Sequence, residues 1–392
     1  MPDLSRLAKN IRKYRIRRKM TGVAVAKSLF VTPQTVSKWE NGIALPDLQN
    51  FTALCDLLSV TPNEMLEIED LKDLRKKMIG IDGGGTKTDF ILFSEDGTVL
   101  RRLMLGSSNP STVGFRKAAE TLRTGIDRLL AAEPGVSHVF AGLAGDTAGD
   151  NHARLAKFFS EQYPFLKVET DSDILNVIHS VRGYGKCIAL ISGTGCVVYG
   201  SDGKSLRSAG GNGFFFDGAG GGFDIGRDAI SYCLKVEDGI AKASALYQIV
   251  TDVLGDTVQK KLADIYSRGV DYIAGFTPFV FDAERSGDAE ASEILRRNAE
   301  RIGNLVTHLR KSMDTGNAVI FAGGLSKRFN ELKPYLTKYL PKDSKVIVPS
   351  FPPVYGACVK CMENAGVQAD PEAFDAVFMK TLSEADSVIT EE

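Results

Sequence analysis

The sequence contains no run of about 18 apolar residues, the length that a helix needs to cross a bilayer, so no transmembrane helix is expected. Its charged N-terminus also lacks the apolar core of a secretory signal peptide. Cysteine is scarce, and the six scattered residues do not have the spacing of a disulfide framework. These absences predict a cytoplasmic protein with reduced thiols and no membrane partner.

One pair of cysteines is close in sequence. Cys358 and Cys361 form a C-x-x-C within residues 353–362, a stretch that is typical of a helix following a turn. Because unoxidised cysteine is among the most buried residue types, we interpret both as ordinary core thiols.

Positive charge is concentrated at the start of the chain. Residues 1–45 contain ten Lys or Arg and two acidic residues, a net charge of 10 − 2 = +8. Because the whole chain has a net charge of −1, the remaining residues have a net charge of −9. A basic segment on an acidic body predicts a polyanionic partner for that segment alone.

The pattern of the chain changes twice. Residues 4–68 have helical periodicity without strand signals, and a highly charged connector follows. From Met78 onward, hairpin-like strands alternate with helical segments, as in α/β domains, without a fixed-period repeat. The predicted divisions are 1–68 (helix-turn-helix domain), 69–77 (linker), 78–187 (first lobe), 188–370 (second lobe) and 371–392 (C-terminal helix and tail).

The N-terminal segment has the features of a DNA-reading domain. Thr32 and Pro33 favour a helix start, and Asn41 followed by Gly42 favours its end. Val36 and Trp39 are three residues apart and are predicted to face the core. Four polar residues of this helix then face outward. Short polar side chains next to basic ones are suited to contact bases in the major groove of DNA. These predicted DNA-binding residues are Gln34, Thr35, Ser37 and Lys38.

Residues 31–42, with Pro46 beyond them, resemble the repressor-type helix-turn-helix of the XRE family, and the resemblance spans residues 4–67. It implies an operator DNA partner and a homodimer on paired half-sites. Two features depart from the family: Gly22 to Ala24 stand where polar residues are usual, and Phe30 stands where a small turn residue is usual. The alternative is a five-helix scaffold for protein contacts.

A glycine-rich turn between two strands opens the second part of the chain. Gly83, Gly84 and Gly85 let backbone N–H groups approach an anion, and Thr86 and Lys87 can add a hydroxyl and a cation. Asp82, at the end of the first strand, can position Mg²⁺ through water. Because a strand follows the glycines and the P-loop spacing is missing, this is not a Walker A motif.

Two further turns complete a nucleotide site. Ser192, Gly193, Thr194 and Gly195 lie between strands and are predicted to hold the β- and γ-phosphates from the opposite side. Gly323 and Gly324 follow a short apolar strand, and their lack of side chains would admit a flat adenosine.

Two glycine hairpins and a third glycine turn resemble the actin/hexokinase/heat-shock ATPase superfamily. The implied fold class is α/β, a two-lobed actin/hexokinase-like (ribonuclease H-like) ATPase fold with an N-terminal all-α helix-turn-helix domain. Residues 78–366 resemble more closely the N-acetylglucosamine kinases grouped with the BadF/BadG/BcrA/BcrD ATPases. The matching segments are 82–87, 108–110, 142–145, 170–171, 192–195, 210–213, 322–324 and 353–357.

This resemblance implies ATP and Mg²⁺ as cofactors and a small sugar as substrate. It assigns Asp171 as the catalytic base that accepts the proton of the attacking hydroxyl, although a helix-capping role is the alternative. Asp173 could compete for either role. Asn109 matches a residue that holds sugar hydroxyls, although asparagine is also common in turns. The remaining implied substrate contacts are Ala144, Gly211 and Asp217.

The chain departs from the family in residues 210–226. The family reads Asp-Glu-Gly-Ser where this chain has Gly218, Ala219, Gly220 and Gly221, and Asp217 stands one position early. Three interpretations stay open: an active sugar kinase that carries its own DNA-binding domain, a non-catalytic sugar or nucleotide sensor that regulates transcription, and an iron–sulfur activase. The position of Cys358 and Cys361 disfavours the third.

Overall fold

The computed structural model describes residues 4–66 and 75–385, and the chain divides into two compact units between Arg75 and Lys76. Residues 69–74 of the predicted linker and 386–392 of the predicted tail lie outside the described residues. Within the described ranges, no helix is both long and apolar enough to span a membrane.

The N-terminal unit is helical, as predicted. Thr21, Thr32 and Asp47 cap the second, third and fourth helices by accepting hydrogen bonds from backbone N–H groups three residues on. Val36 and Trp39 of the third helix are buried, which confirms the predicted inward face. The five helices are α1 (Leu4–Arg17), α2 (Gly22–Ser28), α3 (Pro33–Glu40), α4 (Leu48–Leu58) and α5 (Pro62–Leu66).

Phe30, in the turn between α2 and α3, has a backbone φ of 55° and a side chain that is 97% exposed. A left-handed conformation costs a residue with a Cβ roughly 1–2 kcal/mol, part of which glycine avoids. We expect Phe30→Gly to raise the free energy of unfolding of this unit by about 0.5–1 kcal/mol. Urea unfolding followed by the fluorescence of Trp39, the single tryptophan of the chain, measures it. A lowered midpoint would show that the exposed ring stabilises the unit.

The larger unit begins with a five-stranded sheet in the order β3-β2-β1-β4-β5. β1 pairs antiparallel with β2 and parallel with β4. Helices α6 (Pro110–Val113), α7 (Phe115–Ala132) and α8 (Asn151–Gln162) belong to this lobe, and α7 and α8 cover one face of the sheet. The strands are β1 (Lys77–Gly83), β2 (Lys87–Ser94), β3 (Val99–Gly106), β4 (Val136–Leu143) and β5 (Lys167–Ser172), followed by α9 (Ile174–His179).

The second sheet repeats this arrangement in the order β10-β9-β6-β7-β8, with an antiparallel β6–β7 hairpin and a parallel β6–β9 pair. Its strands are β6 (Lys186–Ser192), β7 (Cys196–Asp202), β8 (Leu206–Gly210), β9 (Ala318–Ala322) and β10 (Lys345–Ile347). Its helices are α10 (Gly222–Glu237), α11 (Ala245–Leu254), α12 (Val258–Ala274), α13 (Thr277–Arg285), α14 (Ala289–Ser312) and α15 (Phe329–Leu336). The two similar halves place one glycine turn after the first strand of each sheet.

The chain then returns to the first lobe. Helices α16 (Pro353–Asn364) and α17 (Pro371–Ala385) form a core with Met78, Ile91 and Phe93 of the first sheet. Residues 353–370, which the sequence divisions placed in the second lobe, therefore pack on the first. The apolar face of α16 matches the uncovered side of β1 and β2, which the linear sequence does not reveal.

Cys358 and Cys361 lie on the buried face of α16, and burial raises the pKa of both thiols. A Cβ on Gly80 would overlap the Sγ of Cys358, so helix and strand are in close contact there. The thiols are core residues, as the sequence analysis expected, and their protonated state suits packing rather than metal or redox chemistry.

Candidate functional site

The first glycine turn joins β1 to β2. The N–H of Gly84 donates to the carbonyl of Lys87 (2.9 Å) and closes the turn, while Gly85, Thr86 and Lys87 are exposed. Gly83 is buried, and a Cβ there would collide with Ser108 and Leu143. Gly83 therefore allows close packing, whereas Gly84 and Gly85 keep the exposed backbone of the turn accessible to an anion.

The second glycine turn joins β6 to β7 and rests on the start of α10. The N–H groups of Gly222 and Phe223 donate to the carbonyls of Gly193 and Thr194, both at 2.8 Å. Because a trans peptide places C=O and N–H on opposite sides, the N–H groups of Thr194 and Gly195 point away from α10. Successive amides oriented in this way form an anion-binding surface.

The third turn lies beside the second, because β9 and β6 are neighbouring parallel strands. Gly323 has a φ of 90°, and a Cβ there would overlap the backbone of Ser192, while Gly324 lies in ordinary contact with Gly193. A cavity of about 390 Å³ opens at this junction, within the roughly 300–1,000 Å³ typical of small-ligand sites. It is lined by Gly193, Thr194, Gly222, Asp271, Ala274, Gly275, Thr277, Pro278, Phe281, Gly324, Leu325, Lys327 and Arg328.

Asp271 is a cavity residue that the sequence analysis missed. It accepts a hydrogen bond from the Thr194 hydroxyl at 3.2 Å and so connects the second glycine turn to α12. No local motif marks it, because the contact depends on packing between segments that are 77 residues apart.

Asp82 lies at the end of β1 and is held by Asn176 of α9, whose side-chain amide donates to its Oδ1 at 2.6 Å. Burial is the main reason that the pKa of Asp82 rises to about 6. The buried Oδ1 of Asn176 has no hydrogen-bond partner among the described residues. The amide oxygen of Asn176 lies against Gly142, so the carboxylate of Asp82 is the group that fits Mg²⁺, which is usually held by one or two carboxylates together with phosphates.

Asp171 and Asp173 occupy different surroundings. Asp173 stands at the start of α9, and its charge raises the pKa values of Asp82 and of Tyr199 on β7 of the second lobe. Its own pKa is raised, mainly by burial. Asp171 lines a separate cavity of about 810 Å³, together with His179 and other residues of α9, α16, β7 and β8. The structure thus brings Asp173 near Asp82 and both lobes.

Two predicted substrate residues lie at the same edge of the first sheet. The N–H of Ala144 donates to the carbonyl of Gly83 at 2.8 Å, which places residue 144 beside the first glycine turn. Asn109 caps α6 by accepting from the N–H of Ser111 at 2.8 Å, and its side chain lies against Gly145. Its capping role is therefore observed, and the capping oxygen is also the atom nearest Gly145.

Asp146, beside these residues, was missed by the sequence analysis. It is fully buried, and its Oδ2 lies 2.8 Å from His152 Nδ1. Its Oδ1 has no partner in the part of the chain that the structure describes. The sequence feature that could have identified Asp146 is its position directly after Gly145, in a loop at the end of a strand and next to a predicted site.

The altered loop, residues 210–221, lies next to the second glycine turn. Asp217 accepts from the N–H of Asn212 at 2.8 Å, so this carboxylate closes its own loop. Gly211 has a φ of 80° and packs against Val197. The structure therefore places both predicted residues at the site, but it commits one oxygen of Asp217 to a backbone amide.

The predicted DNA-contacting face of α3 is accessible. Gln34, Ser37 and Lys38 are exposed, and Thr35 is half-buried with its hydroxyl near that of Thr32.

A two-point ion pair fixes the orientation of α3. Arg15 of α1 contacts Glu40 at the end of α3 through Nε (2.5 Å) and Nη2 (2.8 Å), and both side chains are largely buried. This geometry is the strong form of an Arg–carboxylate interaction.

Twin sheets, each with a glycine turn after its first strand, and a cavity of ligand-binding size at the turns of the second sheet define a two-lobed ATPase of the actin/hexokinase type, which here follows a helix-turn-helix unit. The chain belongs to the BadF/BadG/BcrA/BcrD ATPase family, whose model matches residues 79–359. A helix-turn-helix model matches residues 11–65.

Several sugar kinases are similar to the larger unit. The N-acetyl-D-glucosamine kinase of Dictyostelium discoideum is 24% identical over 73% of this chain and 98% of its own length. An N-acetylmuramic acid/N-acetylglucosamine kinase of Clostridium acetobutylicum is 28% identical over 68% and 90%. The crystal structure of a candidate N-acetylglucosamine kinase from Chromobacterium violaceum superposes with a TM-score of 0.55, at 25% identity over 72% and 98%.

Proposed function

We propose that this protein is an ATP-dependent kinase of an amino sugar related to N-acetylglucosamine, joined to a domain that binds operator DNA. The observation that carries the proposal is the cavity lined by the second and third glycine turns of one lobe, together with a first glycine turn on the other lobe. Asp82 and Asp173 lie near each other at the strand ends of that other lobe. The names of the similar kinases support the substrate class.

Catalysis in phosphoryl transfer is mainly positioning and charge stabilisation. The amides of Thr194 and Gly195, with Thr86 and Lys87 of the first turn, would hold the phosphates from both lobes, and Gly324 would leave room for adenosine. Asp82, oriented by the amide of Asn176, would hold Mg²⁺, which neutralises phosphate charge when bound. Closure of the lobes would exclude water from the transfer.

Two carboxylates, Asp171 and Asp173, are candidates for the catalytic base. We propose Asp173, because its charge acts on Asp82 and on Tyr199 of the opposite lobe, whereas Asp171 lines a different cavity. A buried carboxylate with a raised pKa is a stronger base than an exposed one, and it suits proton removal from a sugar hydroxyl. Asn109 and Ala144 would position that sugar.

A sensor without turnover is the second candidate, and the altered loop favours it. Gly218 and Ala219 provide no carboxylate, and one oxygen of Asp217 is engaged by Asn212. In this case ATP and sugar would bind without transfer, and their occupancy would change the affinity for DNA. We also propose a homodimer, because helix-turn-helix domains read paired half-sites.

Turnover and DNA affinity separate these two functions. We expect the full chain with ATP and Mg²⁺ to phosphorylate at least one amino sugar of a panel, detected as ADP release that depends on the sugar. An operator is selected from random DNA, and its affinity is measured with and without ATP and that sugar. Sugar-independent ADP release or none, together with ligand-dependent DNA affinity, supports the sensor. Unchanged DNA affinity contradicts coupling.

A further inference from the structure

An apolar pocket of about 250 Å³ lies beside the second glycine turn. Thr194 and Gly195 form one side, and Phe214, Phe223 and Val270 contribute carbon surface. Whole small-ligand sites measure about 300–1,000 Å³, so this volume suits one substituent of a ligand rather than the complete molecule.

One oxygen of each carboxylate at this pocket holds the loop, and the Oδ1 of Asp224 lies 3.0 Å from Nη1 of Arg227. Asp217 accepts from the backbone N–H of Asn212 at 2.8 Å. Asp224 is buried and accepts from the N–H groups of Gly220 (2.9 Å) and Gly221 (3.2 Å). Because one oxygen of each carboxylate holds the loop in shape and the other lining residues are mainly apolar or glycine, carbon is the main surface that the pocket offers to a ligand.

Phe214 is the aromatic residue of the loop that enters this pocket. Its ring meets Phe223 edge-on with centroids 5.3 Å apart, and it packs on Phe215 at 4.3 Å. Phe215 and Phe216 are 80% and 92% exposed and do not line the pocket. Only Phe214 therefore connects the aromatic run to a cavity beside the phosphate-binding turn.

We propose that this pocket binds an apolar substituent of the phosphoryl acceptor, specifically an N-acyl group longer than acetyl on an amino sugar. The inference rests on the proposed kinase or sensor function and names its substrate class. The pocket lies next to Thr194 and Gly195, which would hold the phosphates, whereas adenosine would occupy the cavity lined by Gly324 and Phe281. A group in the pocket therefore belongs to the acceptor.

A binding series tests the proposal. Glucosamines carrying N-acetyl, N-butanoyl and N-hexanoyl groups are titrated calorimetrically into the full chain, which is saturated with Mg²⁺ and a non-hydrolysable ATP analogue. Each buried methylene should tighten binding about three- to fourfold until the pocket is full. Phe214→Ala should reduce this gain by at least half. Phe216→Ala, the same change two residues away at an exposed position, should preserve it.

The outcomes are separable because the readout is binding rather than turnover. Affinity that does not rise with acyl length, while N-acetylglucosamine and the ATP analogue still bind, overturns the pocket assignment and leaves the proposed function intact. The pocket assignment is also overturned if Phe214→Ala and Phe216→Ala reduce the gain in affinity per methylene equally. If the ATP analogue itself does not bind, the proposed function fails, and the series without nucleotide then decides whether the pocket binds acyl groups.

Discussion

Replacing Asp173 by Asn should lower the rate of phosphoryl transfer by about 10²–10⁴, the range that general-base catalysis contributes. The amide keeps the size of the side chain but cannot accept the proton of the attacking hydroxyl. The affinity for the ATP analogue should change little, because the glycine turns, and not Asp173, are proposed to hold the nucleotide. Single-turnover transfer and calorimetric binding measure the two effects separately.

Asp171→Asn is the matched control, since it makes the same change two residues away. Asp171 lines the cavity of about 810 Å³ with residues of α9 and α16, so its variant should keep the transfer rate within about threefold, an effect below 1 kcal/mol. The reverse result, with Asp171→Asn inactive and Asp173→Asn active, would restore the assignment that the family resemblance first implied.

The pH profile gives a second readout for Asp173. Burial raises the pKa of its carboxyl, so the base is protonated, and inactive, at a higher pH than an ordinary aspartic acid near 4. Turnover should therefore fall as pH decreases, with its midpoint above 4, and protonation of Asp82, whose pKa rises to about 6, should contribute to the same limb. The Asp171→Asn variant should show the same acid limb.

The glycine turns could be predicted because each depends on a short local pattern of strand, small residues and strand. Residues 84–86 and 193–195 lie in turns that follow the first strand of each sheet, and residues 323–324 directly follow the neighbouring strand β9, as expected. The α3 face of the helix-turn-helix unit was predictable for a similar reason, since Val36 and Trp39 fix its inward side.

The choice between Asp171 and Asp173 could not be made from the sequence. Successive side chains of a strand point to opposite faces, whereas successive side chains of a helix are rotated by about 100°, so the direction of a side chain depends on which element contains it. Because β5 ends at Ser172 and α9 starts at Ile174, a boundary error of two residues reverses which carboxylate is predicted to lie near Asp82. Asn176 and Asp271 were missed because their partners lie 94 and 77 residues away in the chain.

Gly356→Ala should destabilise the larger unit by about 3 kcal/mol, the upper part of the range for overpacked cores. Gly356 of α16 meets the backbone of α9, and a Cβ there would overlap the carbonyl oxygen of Asn176. Backbone cannot move aside as a side chain can, so the helices must separate. Asn176 also donates to Asp82 at 2.6 Å, and we therefore expect ATP turnover to fall together with stability.

Urea unfolding of the full chain can report the two units separately. Far-UV circular dichroism follows mainly the larger unit, whereas the fluorescence of Trp39, the single tryptophan, follows the helix-turn-helix unit. Gly356→Ala should lower the urea midpoint of the dichroism transition and leave the midpoint of the fluorescence transition unchanged. Gly185→Ala is the control, because a Cβ at Gly185 would meet no atom within 4 Å, and it should shift neither. An unshifted dichroism transition in Gly356→Ala would mean that α16 and α9 do not meet at Gly356, and the orientation of Asn176 toward Asp82 would then need another cause.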